Sequence, residues 1–433
     1  MRISKGLIQF FSNRIIKNAG WLIGGKILQM LISFFVGLLT ARYLGPSNYG
    51  IINYANAYIA FFTSLCTLGI NSILVKELID NPNKEGEILG SSILMRIASS
   101  FLSALTIISI VAVVDKDEPT TILVVALCSA GVIFHVFDIF HYWFQAQLKS
   151  KITSIASLCA YAVTAIYKIY LVVTGKPIEY FALSTSVDYI CVALILYICY
   201  KKYNGQKLSF SWLTGKRLLS RSCHFILPGL MVAIYGQTDK MMLKQMIGDA
   251  EIGYYSTATA ICSMWCFVLS AIIDSVYPSI MQANKNGDEK EFERINKMLY
   301  AIVFYVSAFV SVVFTVFAEL IIMILYGEAY LPAVNPLRIV TWYTAFSYLG
   351  VARNAWIVGK NKQKYLIWIY VTAAVANVLL NCLFIPSLGA SGAALASLAA
   401  QIITIMVAPF FIKPLRRNSI LMLEAIFLKG LKK

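Results

Sequence analysis

No residue between Tyr365 and Ile412 carries a formal charge, and the same holds from Tyr43 to Val75, from Ile252 to Ile273 and from Met298 to Ala318. Runs of this length restrict severely what a chain can fold into. A helix needs about 20 mostly apolar residues to cross a hydrocarbon layer about 30 Å thick. With 59% hydrophobic and only 13% charged residues, and a mean hydropathy of +0.72, the apolar surface exceeds what one globular core can cover. A soluble enzyme of ordinary composition is excluded.

The apolar runs predict twelve spans, near 19–41, 50–74, 90–114, 121–146, 152–174, 179–200, 222–246, 253–280, 295–319, 332–358, 364–386 and 390–412. Pro386 to Gly392 breaks the longest run into a hairpin. The expected architecture is an all-α polytopic membrane protein built from two six-helix bundles. Its expected parts are an N-terminal bundle at 1–200, a basic linker at 201–221, a C-terminal bundle at 222–412 and an amphipathic tail at 413–433.

The chain holds 37 Lys and Arg against 21 Asp and Glu, for a formal charge of +16. Most of the basic residues fall on one side of the predicted spans, among them Lys5, Arg14, Lys84, Arg96, Lys201, Arg221, Lys285, Lys360 and Arg417, whereas the opposite loops hold Arg42, Lys116 and Lys176. By the positive-inside rule both termini face the cytoplasm. The basic charge is thereby a topology signal, and nucleic acid is not needed to explain it. The first apolar run is full length without a small-residue cleavage site, so no cleaved leader is expected. Residues 1–17, with Ile3, Leu7 and Phe10 beside Lys5 and Arg14, read as an interfacial amphipathic segment, and Ile420 to Leu431 reads similarly. The nine Cys lie mostly inside spans, and Cys262 and Cys266 read as small packing residues.

An internal repeat is visible. Leu44 to Ala57 can be laid over Ile247 to Ala260, with Gly45 on Gly248, Gly50 on Gly253, Ala55 on Ala258 and Ala57 on Ala260. Each copy joins the first and second span of a six-span half on the outer side, which predicts parallel repeats about an axis along the membrane normal. Such halves suit a cavity that opens alternately to either side.

The run Ala41-Arg42-Tyr43-Leu44-Gly45 through Tyr49-Gly50, the stretch from Asp239-Lys240 through Gly253-Tyr254-Tyr255-Ser256, and Asn377, Asn381 and Ile385-Pro386 through Ala394 carry a resemblance. The chain resembles bacterial polysaccharide-biosynthesis flippases, the lipid-linked oligosaccharide branch of the multidrug, oligosaccharidyl-lipid and polysaccharide exporter superfamily. The resemblance implies a V-shaped pair of bundles in the bacterial cytoplasmic membrane. Their task would be to move an undecaprenyl-pyrophosphate-linked oligosaccharide to the outer leaflet for O-antigen, capsule or a similar surface polymer. Its partners would be the lipid-linked oligosaccharide, membrane lipids, and a polysaccharide polymerase or other envelope assembly proteins.

Ionisable side chains at bilayer depth are costly and therefore functional candidates. For the pyrophosphate these are Lys26, Lys240, Lys244 and Arg338, with Lys244 also placed to snorkel to the interface. For coupling to an ion gradient they are His135, Asp138, Asp188, Asp239 and Asp274. Arg353 reads as a snorkelling residue, Lys168 with Asp188 as an internal ion pair, and Asn377 with Asn381 as architectural residues making interhelical hydrogen bonds. Tyr54, Tyr58, Tyr235, Tyr254, Tyr255, Trp265 and Trp342 read either as stacking surfaces for sugars or as packing and belt residues. The His135, Asp138 and His141 side chains spread over about 120° of helix, so no metal site is expected. No nucleotide-binding or familiar hydrolytic motif occurs, so neither a cofactor nor enzymatic chemistry is expected. The competing readings are an ion-coupled multidrug exporter of the same superfamily and a membrane-embedded glycan polymerase or ligase.

Overall fold

A computed structural model describes the backbone of residues 2–429 and the side chains of residues 20, 21 and 24–429. The side chains of residues 1–17, on which the interfacial reading depends, and the end of the tail beyond residue 429 lie outside the described residues. Among the described residues the chain is helical without a strand. The helices are α1 (Arg2–Cys66), α2 (Asn71–Asp80), α3 (Glu85–Val114), α4 (Pro119–Gly131), α5 (Ile139–Ala146), α6 (Ser150–Val173), α7 (Ile178–Lys202) and α8 (Trp212–Ser222). They continue as α9 (Ile226–Met246), α10 (Asp249–Ser263), α11 (Cys266–Lys285), α12 (Glu289–Leu325), α13 (Val334–Gly359), α14 (Leu366–Ile402), α15 (Ala408–Phe411) and α16 (Lys413–Ile426).

Nine stretches of the described residues are long and apolar enough to cross a membrane. The first and last are each interrupted by a glycine in the left-handed region, Gly45 at φ 72° within α1 and Gly389 at φ 54° within α14. A side chain is strained in that conformation, which is why the chain turns at glycine here. Helices α10, α13, which carries Arg338 and Arg353, and α16 lie outside the nine stretches.

The chain divides into two compact units, Met1–Tyr43 with Tyr54–Ala233, and Leu44–Asn53 with Ile234–Lys433. The first unit buries Leu74 and Leu78 of α2, Ile88 and Leu89 of α3, Phe140, Trp143 and Phe144 of α5, Tyr200 of α7 and Leu218 of α8 in one core. The expected linker is therefore no loose connection. Ser211 caps α8 by accepting from the Thr214 amide, Ser91 Oγ accepts from the Ser211 amide at 3.0 Å, Thr214 donates to Glu87, and Arg221 pairs with Glu77.

The second unit repeats this device. Its core joins Phe292, Leu299 and Tyr300 of α12, Trp356 of α13, Ile369 of α14 and Leu415, Leu421 and Met422 of α16. Lys297 of α12 pairs with Glu424 at 2.5 Å, Arg417 pairs with Glu293, and Asn418 Nδ2 donates to Tyr300 Oη at 2.6 Å. The helix that follows the last long helices of each unit thus folds back onto the opening turns of α3 or α12.

Within the second unit the two copies of the repeated sequence meet. A Cβ on Gly50 would run into the Asp249 carbonyl, and one on Gly253 into the Pro46 carbonyl. In the overlay Gly50 matches Gly253 and Pro46 matches Asp249, so the contact is reciprocal, as across a two-fold axis. Gly248, the match of Gly45, also has positive φ, at 138°.

Candidate functional site

The most densely bonded charge within the spans is Asp239 on α9, which is 3% exposed. Asn377 and Asn381 donate to Oδ1 at 3.0 and 2.7 Å, while Tyr255 Oη and Ser397 Oγ donate to Oδ2 at 2.6 and 2.5 Å. A carboxylate only accepts, and this one meets four donors, one from α10 and three from the two arms of α14. The local sequence explains the convergence. Asn377 and Asn381 are one turn apart on α14, and the reversal at Gly389 returns Ser397 to within 3.1 Å of Asn377. Gly392 lets the returning arm pack against the Phe384 carbonyl, and Glu251 accepts from the Ala390 amide at 2.5 Å, holding the reversal from α10.

Asn377 and Asn381 thus make the expected interhelical hydrogen bonds, both to one acid, whereas Tyr255 is no sugar platform, since its ring is buried and its hydroxyl serves the carboxylate. No local signal in the sequence links these positions to one acid. The asparagine pair at helical spacing was the available clue. Lys240 follows Asp239 on α9 and is its electrostatic neighbour. Lys244 is buried and paired with Asp249 at 2.6 Å, so it holds the turn into α10. Arg338 Nε donates to the Thr315 carbonyl at 3.3 Å and Nη1 to Asn335, and Trp342 Nε1 donates to Thr315 Oγ1. Asp274 on α11 is exposed.

In the first unit a buried cation stands out. Arg96 belongs to no loop: it is 1% exposed within α3, which corrects its expected place on the basic side. Nη1 donates to Asn71 Oδ1 at 3.1 Å and Nη2 to the His135 carbonyl at 3.4 Å. That carbonyl lies in a 3₁₀ turn, Phe134–Asp138, which breaks the helix between α4 and α5. The break follows Gly131, whose missing Cβ leaves room for Ser186. The His135 ring packs edge-on against Tyr189 at 4.9 Å, and Asp138 lies within electrostatic reach of Arg96, His135 and His141.

Lys26 is exposed on α1 and is an electrostatic neighbour of His141. Asp188 accepts from Thr164 at 3.4 Å beside Lys168. Tyr54 and Tyr58 are buried, hydrogen-bonded to each other, with Tyr54 donating to Asp115 at 2.9 Å, so they stack on no sugar. Arg353 does not snorkel: it is 5% exposed, and its Nη1 donates at 3.1 Å to the Thr404 carbonyl in the π-helical turn Ile403–Val407.

Comparison with known proteins places these residues in context. An O-antigen transporter named from Shigella flexneri is 22% identical over 404 residues, covering 88% of this chain and 93% of that protein. A low-salt glycan biosynthesis flippase of Haloferax volcanii is 21% identical over 189 residues, 43% of this chain and 40% of that protein. Among solved structures, an inward-facing multidrug resistance MATE family transporter of the MOP superfamily superposes with a TM-score of 0.71 at 14% identity, covering 90% of this chain and 96% of that one. The lipid II flippase MurJ, in an inward closed conformation, superposes at 0.69 and 15% identity, covering 95% and 93%. The fold is that of these transporters. The model for the family described as polysaccharide biosynthesis protein matches residues 15–284, more than half of the length, and the chain belongs to that family.

Proposed function

We propose that this protein is a flippase, not an enzyme, carrying a lipid-linked oligosaccharide from the inner to the outer leaflet of a bacterial cytoplasmic membrane by alternating access. The match along nearly the whole chain to a protein named as an O-antigen transporter carries the reading. Both termini would face the cytoplasm, the halves would be parallel repeats, and a polymerase would take over the product. The reciprocal Gly50 and Gly253 contact and the paired α8 and α16 supports favour the repeat.

Asp239 is the coupling group in this reading. An acid inside a span is costly, and this one is held by two amide and two hydroxyl donors at a fixed place where it can exchange its charge with a proton or a cation. Lys26, exposed on α1, and Lys240 are the cations available to the pyrophosphate, with Arg338 a further candidate; Lys244 is occupied by Asp249. Asp138, with His135, is the corresponding titratable group of the first unit.

The test is reconstitution in liposomes, scoring whether a lipid-linked oligosaccharide confined to one leaflet becomes accessible on the other, with and without an ion gradient. Movement above that in empty liposomes, lost in Lys26→Ala and Lys240→Ala proteins that insert normally, is the expected result. Gradient-driven uptake of a cationic dye with no glycan movement would replace the flippase by a drug exporter.

A further inference from the structure

Glu251 stands in the first turn of α10, two residues after Asp249. Asp249 takes the cation of that turn, Lys244, and among the described residues no Lys or Arg pairs with Glu251. Its carboxylate instead accepts from the Ala390 amide at 2.5 Å, across 139 residues of chain. Ala390 opens the returning arm of α14, directly after Gly389 at φ 54° and ψ −131°. The first amides of a helix have no acceptor within it, so Glu251 caps this arm from a different helix and places its negative charge at the arm's positive end. A Cβ on Gly389 would run into the same carboxylate, so the acid and the glycine fit against each other and hold the reversal in one place.

Both arms joined by that reversal meet at Asp239. Asn377 and Asn381 reach it from the outgoing arm, and Ser397, two turns beyond Ala390, reaches it from the returning arm. One turn after Glu251 on the same face of α10, Tyr255 donates to Asp239 directly. α10 therefore acts on the acid twice, through Tyr255 by contact and through Glu251 by the placement of the returning arm. Each donor stabilises the bare carboxylate and must be displaced or outweighed when a proton or cation binds, so donors lower the affinity for the ion. We propose that Glu251 is a positioning residue that keeps Ser397 on Asp239 and so holds the acid's affinity for its ion low enough for release. The proposal rests on the reading of Asp239 as the coupling group. Tyr235, Lys240, Tyr255 and Tyr343 are the other titratable groups around Asp239 and stay in place in the variants that test it.

The test is ion-driven flipping by the full chain in liposomes, varying sodium at fixed pH and pH at fixed sodium to identify the ion. Glu251→Ala should move the half-maximal ion concentration about tenfold lower, because the loosened arm withdraws a donor from the carboxylate. Glu251→Gln keeps an acceptor oxygen for the Ala390 amide and should keep the wild-type midpoint. Glu251→Asp, one methylene short, should shift the midpoint in the same direction by less, and it carries the test if the Ala protein does not fold. Ser397→Ala should shift the midpoint as Glu251→Ala does, and the double variant no further, since both act through one arm. Shifts that add overturn that route. A folded variant that flips more slowly at every ion concentration with its midpoint unmoved, or moved upward, overturns the positioning role, and an inactive Asp239→Asn beside it leaves the coupling reading standing. Ion dependence surviving in Asp239→Asn overturns both.

Discussion

Arg96 in the first unit and Asp239 in the second are equally withdrawn from solvent, at 1% and 3% exposure, but their surroundings differ. Arg96 donates to the Asn71 side-chain oxygen and to the His135 carbonyl of the 3₁₀ turn, so it ties α3 to α2 and to the break between α4 and α5. The four donors to Asp239 are side chains, each of which could have found other partners, and they converge on a charge that nothing in the local helix geometry requires. The repeat does not explain the acid either, since counting back along the overlay places Val36 opposite Asp239. The two charges are therefore held differently, Arg96 partly by backbone and Asp239 by side chains alone. In the proposed reading Arg96 supports the structure and Asp239 is the coupling group.

The sharpest way to break that comparison is Asp239→Asn. Its amide keeps the shape and part of the bonding, so the melting temperature should change little, while ion-driven flipping in liposomes falls by about 100-fold or more. The reverse pattern is expected for Arg96→Met. Leaving the His135 carbonyl and Asn71 without their donor, with Asp138 nearby, should cost about 3–5 kcal/mol in stability measured by denaturation in detergent, with normal flipping per folded molecule. A stable but inactive Arg96→Met protein would make the two charges functional equals and end the distinction.

A smaller effect probes the symmetric part of the scaffold. Because Gly50 and Gly253 each face a backbone carbonyl of the other copy, Ala at either position should lower stability by a similar amount, about 1–3 kcal/mol. Gly45→Ala meets open space and strains only its own backbone, at φ 72° and ψ 172° where essentially glycine alone is found, so its cost of about 1–3 kcal/mol should come without any contact to the other copy. Unequal losses at Gly50 and Gly253 would show that the reciprocity is accidental.

The helices were legible because charge-free runs and their basic flanks record the solvent around them, which is a local property of sequence. The candidate acid was legible for the same reason: an Asp at bilayer depth is conspicuous. Its partners were not, since Asn377, Asn381 and Ser397 join it only when α14 reverses at Gly389, some 140 to 160 residues away along the chain. The breaks at Phe134–Asp138 and between Ser263 and Cys266 were hidden because their helical flanks stay apolar throughout and their cause is tertiary, such as the close approach of Gly131 to Ser186. Arg96 was misplaced by arithmetic on loop charges, which cannot tell a basic residue flanking a span from one folded into it.

The last comparison concerns the two supporting helices, α8 and α16, which lie outside the predicted spans. The Glu293 carboxyl is held below its ordinary value of 4.5 first by its hydrogen bonds from Arg417, and the Glu87 carboxyl is likewise lowered, first by the hydrogen bond from Thr214. A carboxyl with a depressed value in the folded state contributes stability above its unfolded value and loses it as pH falls through the folded one. Both helices should therefore loosen below about pH 4.5 and not at alkaline pH. The partners are partly exposed, so solvent screening keeps the Glu293 contribution to about 0.5–1 kcal/mol. Hydrogen exchange in α16 should rise on acidification, and Arg417→Gln should weaken that pH dependence, because a neutral amide favours the charged carboxylate less while Lys297 and Lys360 remain. In α8 the donor to Glu87 is already neutral, and Arg221 with Arg217 remains on Glu77, so its exchange should rise less. An acid response of equal size in both helices would mean that the Arg417 charge adds nothing beyond a hydrogen bond.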